Sequence, residues 1–470
     1  MSSEYPSPFT PNNTKAPFAR AVVIGGSVAG LTAAHVLSKH FAQVTIIERS
    51  ELANGTEFSK GVPQSRHPHI LLLRGERILE EHFPGFRQNL LAGGANRLNF
   101  GNDLRMRFPD GWLPHYDTQM EAIAASRRLL DYTIYQRVAE NPNITFKANS
   151  EVESLCTDDS NQRVIGIQIR NRVNGRIQDI PAELVVDASG RSSKAPQWFS
   201  QLGYTPPEEQ SVNAFPGYAT RIYEIPQTFT EEWKTLYIMP NPPEVTRGAI
   251  ILPMEGNLWH LSLIGMNGDH PPTDEAGFLE FAQSLVSPAV YDAIKEATAV
   301  SPIWGYRNAE NRLRRYDKLD RYLEGFVAMG DAVYALNPVY GQGMTLAAVA
   351  SQLLDQCLSE QTQQTGDNEL AGLAAKFQKQ LKKELAIPWQ TATNEDMRWP
   401  NTEGKQELDP ASKLIGRYFK MVLRAMPHNI KITDAFFRVQ HMIAPPTLLM
   451  RPDILANVIK TNLSLRYAKA

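Results

Sequence analysis

The chain has 470 residues, with Lys+Arg 48 against Asp+Glu 50 and a formal net charge of −2, so it lacks the basic excess that would draw it to a nucleic acid. Its length exceeds one ordinary core, and about two or three domains are expected. Two cysteines without CxxC spacing, Cys156 and Cys357, argue against a disulfide framework or a cysteine metal site and fit a reducing, cytoplasmic setting, while no run approaches the ~18 apolar residues of a membrane span.

Residues 1–18, rich in Ser, Pro, Asn and Thr, read as a disordered tail, with no apolar stretch of the kind a secretory signal carries. Residues 19–24 predict a strand, 29–40 a helix and 44–47 a second strand, a βαβ unit of about 30 residues. The turn between strand and helix reads VVIGGSVAGL over 22–31, and Gly25, Ser27 and Gly30 occupy the three positions of G-x-G-x-x-G. Gly25 permits the tight turn, Gly30 lets helix and strand pack closely, and Gly26 compensates for Ser27 in second place. Glu48, followed by Arg49, ends the second strand about 20 residues on, where a ribose-binding acid belongs. Such a turn offers backbone N–H groups and a helix dipole to a pyrophosphate.

A polar loop over 51–65 leads to a helix at 71–82. The run GVPQSRHPHILLLRG over 61–75 sets Arg66, His67 and His69 beside it. They are candidates to contact a cofactor or its phosphates, or to cap the helix; no Asp, Glu or Cys lies near enough in sequence to complete a metal site, and none is expected. Residues 126–140 have helical spacing, with Leu129, Leu130, Ile134 and Val138 for one face. Strand-like runs follow at 144–148, 164–170 and 183–186.

The stretches 214–225, 247–252 and 258–264 suggest a separate antiparallel sheet. Phe215, Tyr218, Trp259, Tyr306 and Tyr340 are candidates for a substrate pocket there. Residues 278–298 predict a helix and 326–329 a buried strand. After that strand, 330–345 reads GDAVYALNPVYGQGMT. Asp331 faces a ligand from the strand's carboxyl end, and Pro338, Gly341 and Gly343 shape a loop before a helix that starts near Met344 and runs to 358. The positive end of that helix suits a ring that becomes anionic on reduction. A polar loop is expected over 360–368 and helices thereafter. The two glycine-rich motifs together point to a flavin bound along its length.

These motifs resemble the single-component FAD-dependent aromatic hydroxylases and epoxidases, over roughly 20–358. The resemblance implies an α/β fold: a Rossmann-like FAD domain of the glutathione-reductase type (19–100, 120–200 and 301–358), an inserted antiparallel sheet domain for substrate (101–119 and 201–300), and a helical C-terminal domain (369–470). It assigns the first motif to the ADP half of FAD, Asp331 to the ribityl chain, and Arg127 to the pyrophosphate. The run VVDASGRSS over 185–193 is similar to the family's middle motif, with Gly190 and Ser193 matching. Ser189 stands where that motif has aspartate, a form similar to halogenases and geranylgeranyl reductases. NADH, NADPH or a separate reductase all remain open as electron source.

The implied activity is insertion of one atom of O2 into an apolar substrate (a polyene, terpenoid or polyketide) through a flavin C4a-hydroperoxide, by hydroxylation or epoxidation. A prenyl-chain reductase or cyclase is the alternative; a halogenase is further off, because no Trp-x-Trp-x-Ile-Pro run is present. In the tail, 411–426 carries Lys413, Arg417, Lys420 and Arg424 beside an apolar face. It reads either as a solvated basic surface or as a peripheral contact with an anionic membrane.

Overall fold

The computed structural model describes residues 18–52, 63–307, 309–365, 369–407 and 410–467. Residues 1–17 of the expected tail, and most of the loop over 51–65, lie outside the described residues.

Phe18–Ile24 and Phe41–Ile47 are parallel neighbours in a five-stranded sheet ordered 326–328, 184–187, 18–24, 41–47, 144–147. Their inner halves are buried without alternation, as strands covered on both faces are. Helices Val28–Leu37 and Gly343–Thr365 pack together beside this sheet, and the antiparallel sheet of Ser150–Thr157, Val164–Asn171 and Ile177–Pro181 adds Val152, Ile167 and Ile169 to the same core. Ile24 pairs with Ile47 and with Asp187, and Asp187 pairs with Ala328. Four strands therefore end at one level, and the loops at Gly25, Glu48, Ala188 and Gly330 open on a common edge, where ligands of such sheets sit.

The second sheet has seven strands, ordered 304–306, 217–224, 258–265, 247–254, 235–238, 104–108, 111–112. All its pairings are antiparallel except that of Thr235–Ile238 with Leu104–Phe108. Leu373–Asp396 feeds Leu373, Phe377, Leu381 and Leu385 into the parallel sheet's core. Pro410–Ala425, Ile430–Gln440 and Pro452–Tyr467 instead close a separate core over Met106 and Phe108.

Two expected elements differ. The helix over 278–298 is two helices, Glu275–Gln283 and Ala289–Ile294, because Pro288 cannot donate within a continuous helix. The helix after the second glycine motif runs to Thr365, well into the stretch read as a loop. There Gln361 Nε2 donates to the carbonyls of Glu369 (3.2 Å) and Ala371 (2.9 Å), tying the helix end to the next segment.

Candidate functional site

A cleft of about 690 Å³ runs from the common edge of the parallel sheet to one face of the seven-stranded sheet. At its first end the chain leaves Ile24 through Gly25 at φ +107°, and a Cβ there would stand 2.5 Å from the Ala188 carbonyl oxygen. A Cβ on Gly30 would come within 1.8 Å of the Gly25 carbonyl oxygen. Both positions thus require glycine for close approach of backbone to backbone. Gly26 N–H donates to Glu48 Oε2 (2.7 Å), while Ser50 N–H and Oγ–H donate to Oε1 (2.9 and 2.6 Å). Glu48 is thereby fixed at the cleft wall with lone pairs to spare.

Ser27 does not cap its helix; its Oγ accepts instead from Arg127 Nη2 (2.8 Å). The first N–H groups of Val28–Leu37 are left for a ligand, a ready anion site. Arg127 is buried and its Nε donates to Asp131 Oδ1 (2.8 Å), so its guanidinium is held in place on the cleft wall. Neighbouring Arg128 turns away to Glu255 (3.0 Å). Arg49 lines the rim and donates to Ser192 Oγ (3.2 Å).

Asp187 in the middle motif is buried and accepts from Ser189 N–H (3.0 Å), Ser189 Oγ–H (2.6 Å) and Ser193 Oγ–H (2.5 Å). Burial pushes this carboxyl above its ordinary range, against those hydrogen bonds. It shapes the loop, and Ser189, Gly190, Arg191 and Ser192 form the surface that lines the cleft.

At the middle of the cleft Gly330, at φ +61°, turns the chain so that Asp331 lines the wall. Beyond it a short turn, Pro338–Tyr340, ends on Gly341 at φ +65° and Gly343–Thr365 begins. Pro338, Gly341, Gly343 and Met344 all line the cleft. So does Gln342, whose buried Oε1 has no hydrogen-bond partner among the described residues. An unpaired buried acceptor costs about 1–3 kcal/mol, which a ligand N–H would relieve.

The far wall follows the period-2 rule of strands. Ala249, Ile251, Leu261 and Leu263 face the sheet domain's own core. Ile250, Leu252, Ser262 and Ile264 face the cleft, with Tyr218, Tyr237 and Tyr306. Trp259 shares parity with Leu261 and Leu263, and it is packed against Phe229 and Trp233 in the far core, away from the cleft. Phe215 at φ +49° sits outside the lining residues, its carbonyl held by His270 Nε2 (3.2 Å). Arg66 is exposed and lies over the Trp304 ring, 5.8 Å from its centroid, also outside the lining.

Sequence reading left His67 without a role at the far wall, yet both His67 and His69 line the cleft. His67 Nδ1 is 2.7 Å from Thr220 Oγ1, which is 2.7 Å from Ser262 Oγ. Burial lowers His67 to about 4, with His260 and Arg66 adding to the effect, so the ring is neutral at pH 7.

Behind the Pro338 turn stands a group that no local pattern announced. Asp396, fully buried at the end of Leu373–Asp396, accepts from Asn311 Nδ2 (2.6 Å), Asn337 Nδ2 (3.2 Å) and Tyr340 Oη–H (2.5 Å). Asn337 Oδ1 in turn accepts from Tyr218 Oη–H (2.7 Å), linking the turn to the far wall. Tyr340 therefore points to Asp396 and is not among the lining residues. Trp399, just beyond, packs with Tyr218, Ile250, Leu252 and Ile264. No sequence signal marked Asp396, because its partners lie about 60 to 85 residues away.

A family model described as an FAD binding domain matches residues 19–375. The chain is 31% identical over 362 residues to Protein Rv3254 of Mycobacterium tuberculosis, with 72% of each chain covered. Among solved structures it is similar to the flavin-dependent brominase Bmp2, with a TM-score of 0.65 at 14% identity over 96% of this chain and 98% of that one. It is also similar to p-nitrophenol 4-monooxygenase PnpA from Pseudomonas putida DLL-E4, with a TM-score of 0.63 at 15% identity over 91% of this chain and 99% of that one. At such identities the structural likeness speaks to fold alone.

Proposed function

The chain belongs to the FAD-binding flavoprotein family matched over residues 19–375, and on that premise we propose that this oxidoreductase is a monooxygenase placing one atom of O2 on an apolar organic substrate, as epoxide or hydroxyl. The cleft's donor set fits FAD. Two glycines that tolerate no Cβ and an uncapped helix start suit a pyrophosphate, beside the guanidinium of Arg127. Glu48 and Arg49 would hold the ribose end and Asp331 the ribityl hydroxyls, and the unpartnered Gln342 Oε1 would accept an N–H of the cofactor, with Pro338, Gly341, Gly343 and Met344 beside it.

The chemistry FAD supplies when bound is activation of O2, with electrons from NADH, NADPH or a separate reductase; one oxygen atom enters the product and the other leaves as water. The chain supplies placement and dryness. Ile250, Leu252 and Ile264 exclude water from the far wall. Neutral His67, linked to Thr220 and Ser262, offers a hydrogen bond to a substrate hydroxyl without bringing a charge into that wall. The observation that carries the apolar-substrate reading is this alternating wall opposite the Pro338 turn.

A halogenase would need a lysine at the reacting end. Among the described lining residues the one lysine, Lys194, pairs with Glu151 (2.6 Å) in the stretch beside the glycine motif's loops.

The test is an anaerobic titration of the FAD-loaded protein with NADPH and NADH, followed by isotope-labelled O2 and a panel of lipophilic alkenes and arenes. Label in the product supports the reading. Product formed without O2 would replace it with a reductase or cyclase, and turnover of small charged acids alone would remove the apolar substrate.

A further inference from the structure

The two outer helices of the C-terminal region carry an uncovered apolar surface bordered by cations. Asn462 Nδ2 donates to the Met421 carbonyl (2.9 Å), and Asn429 Nδ2 donates to Asn457 Oδ1 (3.1 Å). As one chain position rises the other falls, so Pro410–Ala425 and Pro452–Tyr467 run antiparallel. Their inner rows meet at Val422, Ala425, Ile454 and Val458, all buried.

Toward the start of the first helix and the end of the second, that burial runs out. Leu414 and Ile415 precede Tyr418 and Val422 by one and two helical turns on the core-facing side, yet they are 67% and 49% exposed. From the second helix Leu463 (47%) and Tyr467 (81%) reach the same end, and Leu455 and Ile459 extend the row at i, i+4 spacing. Elsewhere on the helices exposed large apolar residues stand singly, as Ile387 and Ile430 do; here they form a contiguous face.

The charges that the two helices themselves set beside the patch are cationic. Lys413, Arg417 and Lys420 are exposed beside Leu414 and Ile415, and the helix Pro410–Ala425 contains no acid. Lys460 and Arg466 are exposed on the second helix, whose one acid, Asp453, lies at the opposite end. A second copy of this chain would bring cations against cations. A surface of anionic lipid headgroups over acyl chains matches both features at once, since the cations stay at the phosphates while Leu414, Ile415, Leu463 and Tyr467 enter the apolar layer. Among the described residues no helix is long and apolar enough to cross a membrane, so such a contact is peripheral. These helices also share a core with Tyr237, which lines the cleft.

We propose that the ends of Pro410–Ala425 and Pro452–Tyr467 form a peripheral docking surface for anionic membranes. The experiment is co-sedimentation of the full FAD-loaded chain with phosphatidylcholine vesicles, with and without phosphatidylglycerol, at low and high salt. Binding that needs the anionic lipid and falls with salt is expected. Lys413→Ala with Arg417→Ala should lower partitioning roughly 30-fold at low salt, and Leu414→Ser with Ile415→Ser about tenfold or more. All four side chains are exposed, so retained FAD and an unchanged unfolding transition show that the variants remain folded. Equal binding to neutral vesicles, or indifference to both double variants, overturns the proposal. Self-association in sedimentation velocity that the apolar double variant abolishes, without vesicle binding, overturns it in favour of an interface between copies.

Discussion

The two ends of the cleft are built in opposite ways. At the glycine-loop end, residues close in sequence make the site: Gly25 to Gly30 turn one strand into one helix, and Glu48 ends the next strand. At the far end the wall is drawn from side chains of five antiparallel strands, and its supporting carboxylate comes from a C-terminal helix. The first end tolerates almost no change of backbone shape, because at Gly25 and Gly30 main chain packs directly against main chain. The second end is a side-chain surface on a rigid sheet, where one residue can change without moving its neighbours.

Breaking the first end should have the largest effect. Gly30→Ala puts a Cβ within 1.8 Å of a carbonyl oxygen, and about 3 kcal/mol of stability is expected to go, with at least a 100-fold loss in FAD affinity. The ratio of flavin absorbance to protein, with chemical denaturation alongside, measures both.

Asp396 comes next, and its signature is a pH dependence. Burial raises its carboxyl from 3.8 to about 6, against hydrogen bonds from Tyr340, Asn337 and Asn311. Below about pH 4 it is protonated in both folded and unfolded chains. As pH rises toward about 6 the unfolded chain gives up the proton first, so stability is lost on raising pH, by about 3 kcal/mol across the window. Asp396→Asn should remove that slope from the variant, so that the difference between variant and parent stability changes across this window; a difference flat with pH would refute the assignment.

At the far wall the two faces of one strand pair should separate cleanly. Ile250→Ala should raise KM for a lipophilic substrate about tenfold with FAD retention unchanged. Trp259→Phe should cost about 1–3 kcal/mol of stability and leave KM alone. A KM effect from Trp259 would overturn the assignment of faces. The smallest change is Tyr218→Phe, which removes the hydrogen bond to Asn337, worth about 1 kcal/mol; a fall in kcat/KM of roughly fivefold is expected from steady-state kinetics.

The same contrast explains what was legible. A strand, a glycine turn and an acid at the next strand end lie within one βαβ unit, and the family model covers them. Arg127 could be named but not separated from Arg128, since only the fold shows which side of the helix faces Ser27. Trp259 was picked for its size, although Leu261 and Leu263 at the same parity already hinted that it faced a core. His67 was visible as a residue, but its partner Thr220 lies 153 positions away. Asp396 was out of reach: one of three acids in a long helix, made important only by its bonds to two distant segments, Asn311 and the turn from Asn337 to Tyr340.

That last carboxylate bears on how the enzyme can be cut and recombined. The family match closes at residue 375, yet the turn at Pro338 leans on Asp396, whose carbonyl oxygen accepts from Thr402 Oγ1–H (2.6 Å), and Trp399 packs against the cleft-facing side chains of the far wall. A chimera or domain graft spliced at the family boundary would carry every glycine of both motifs and still lose the buttress behind its second one. The inheritable unit of this active site therefore extends at least through Thr402.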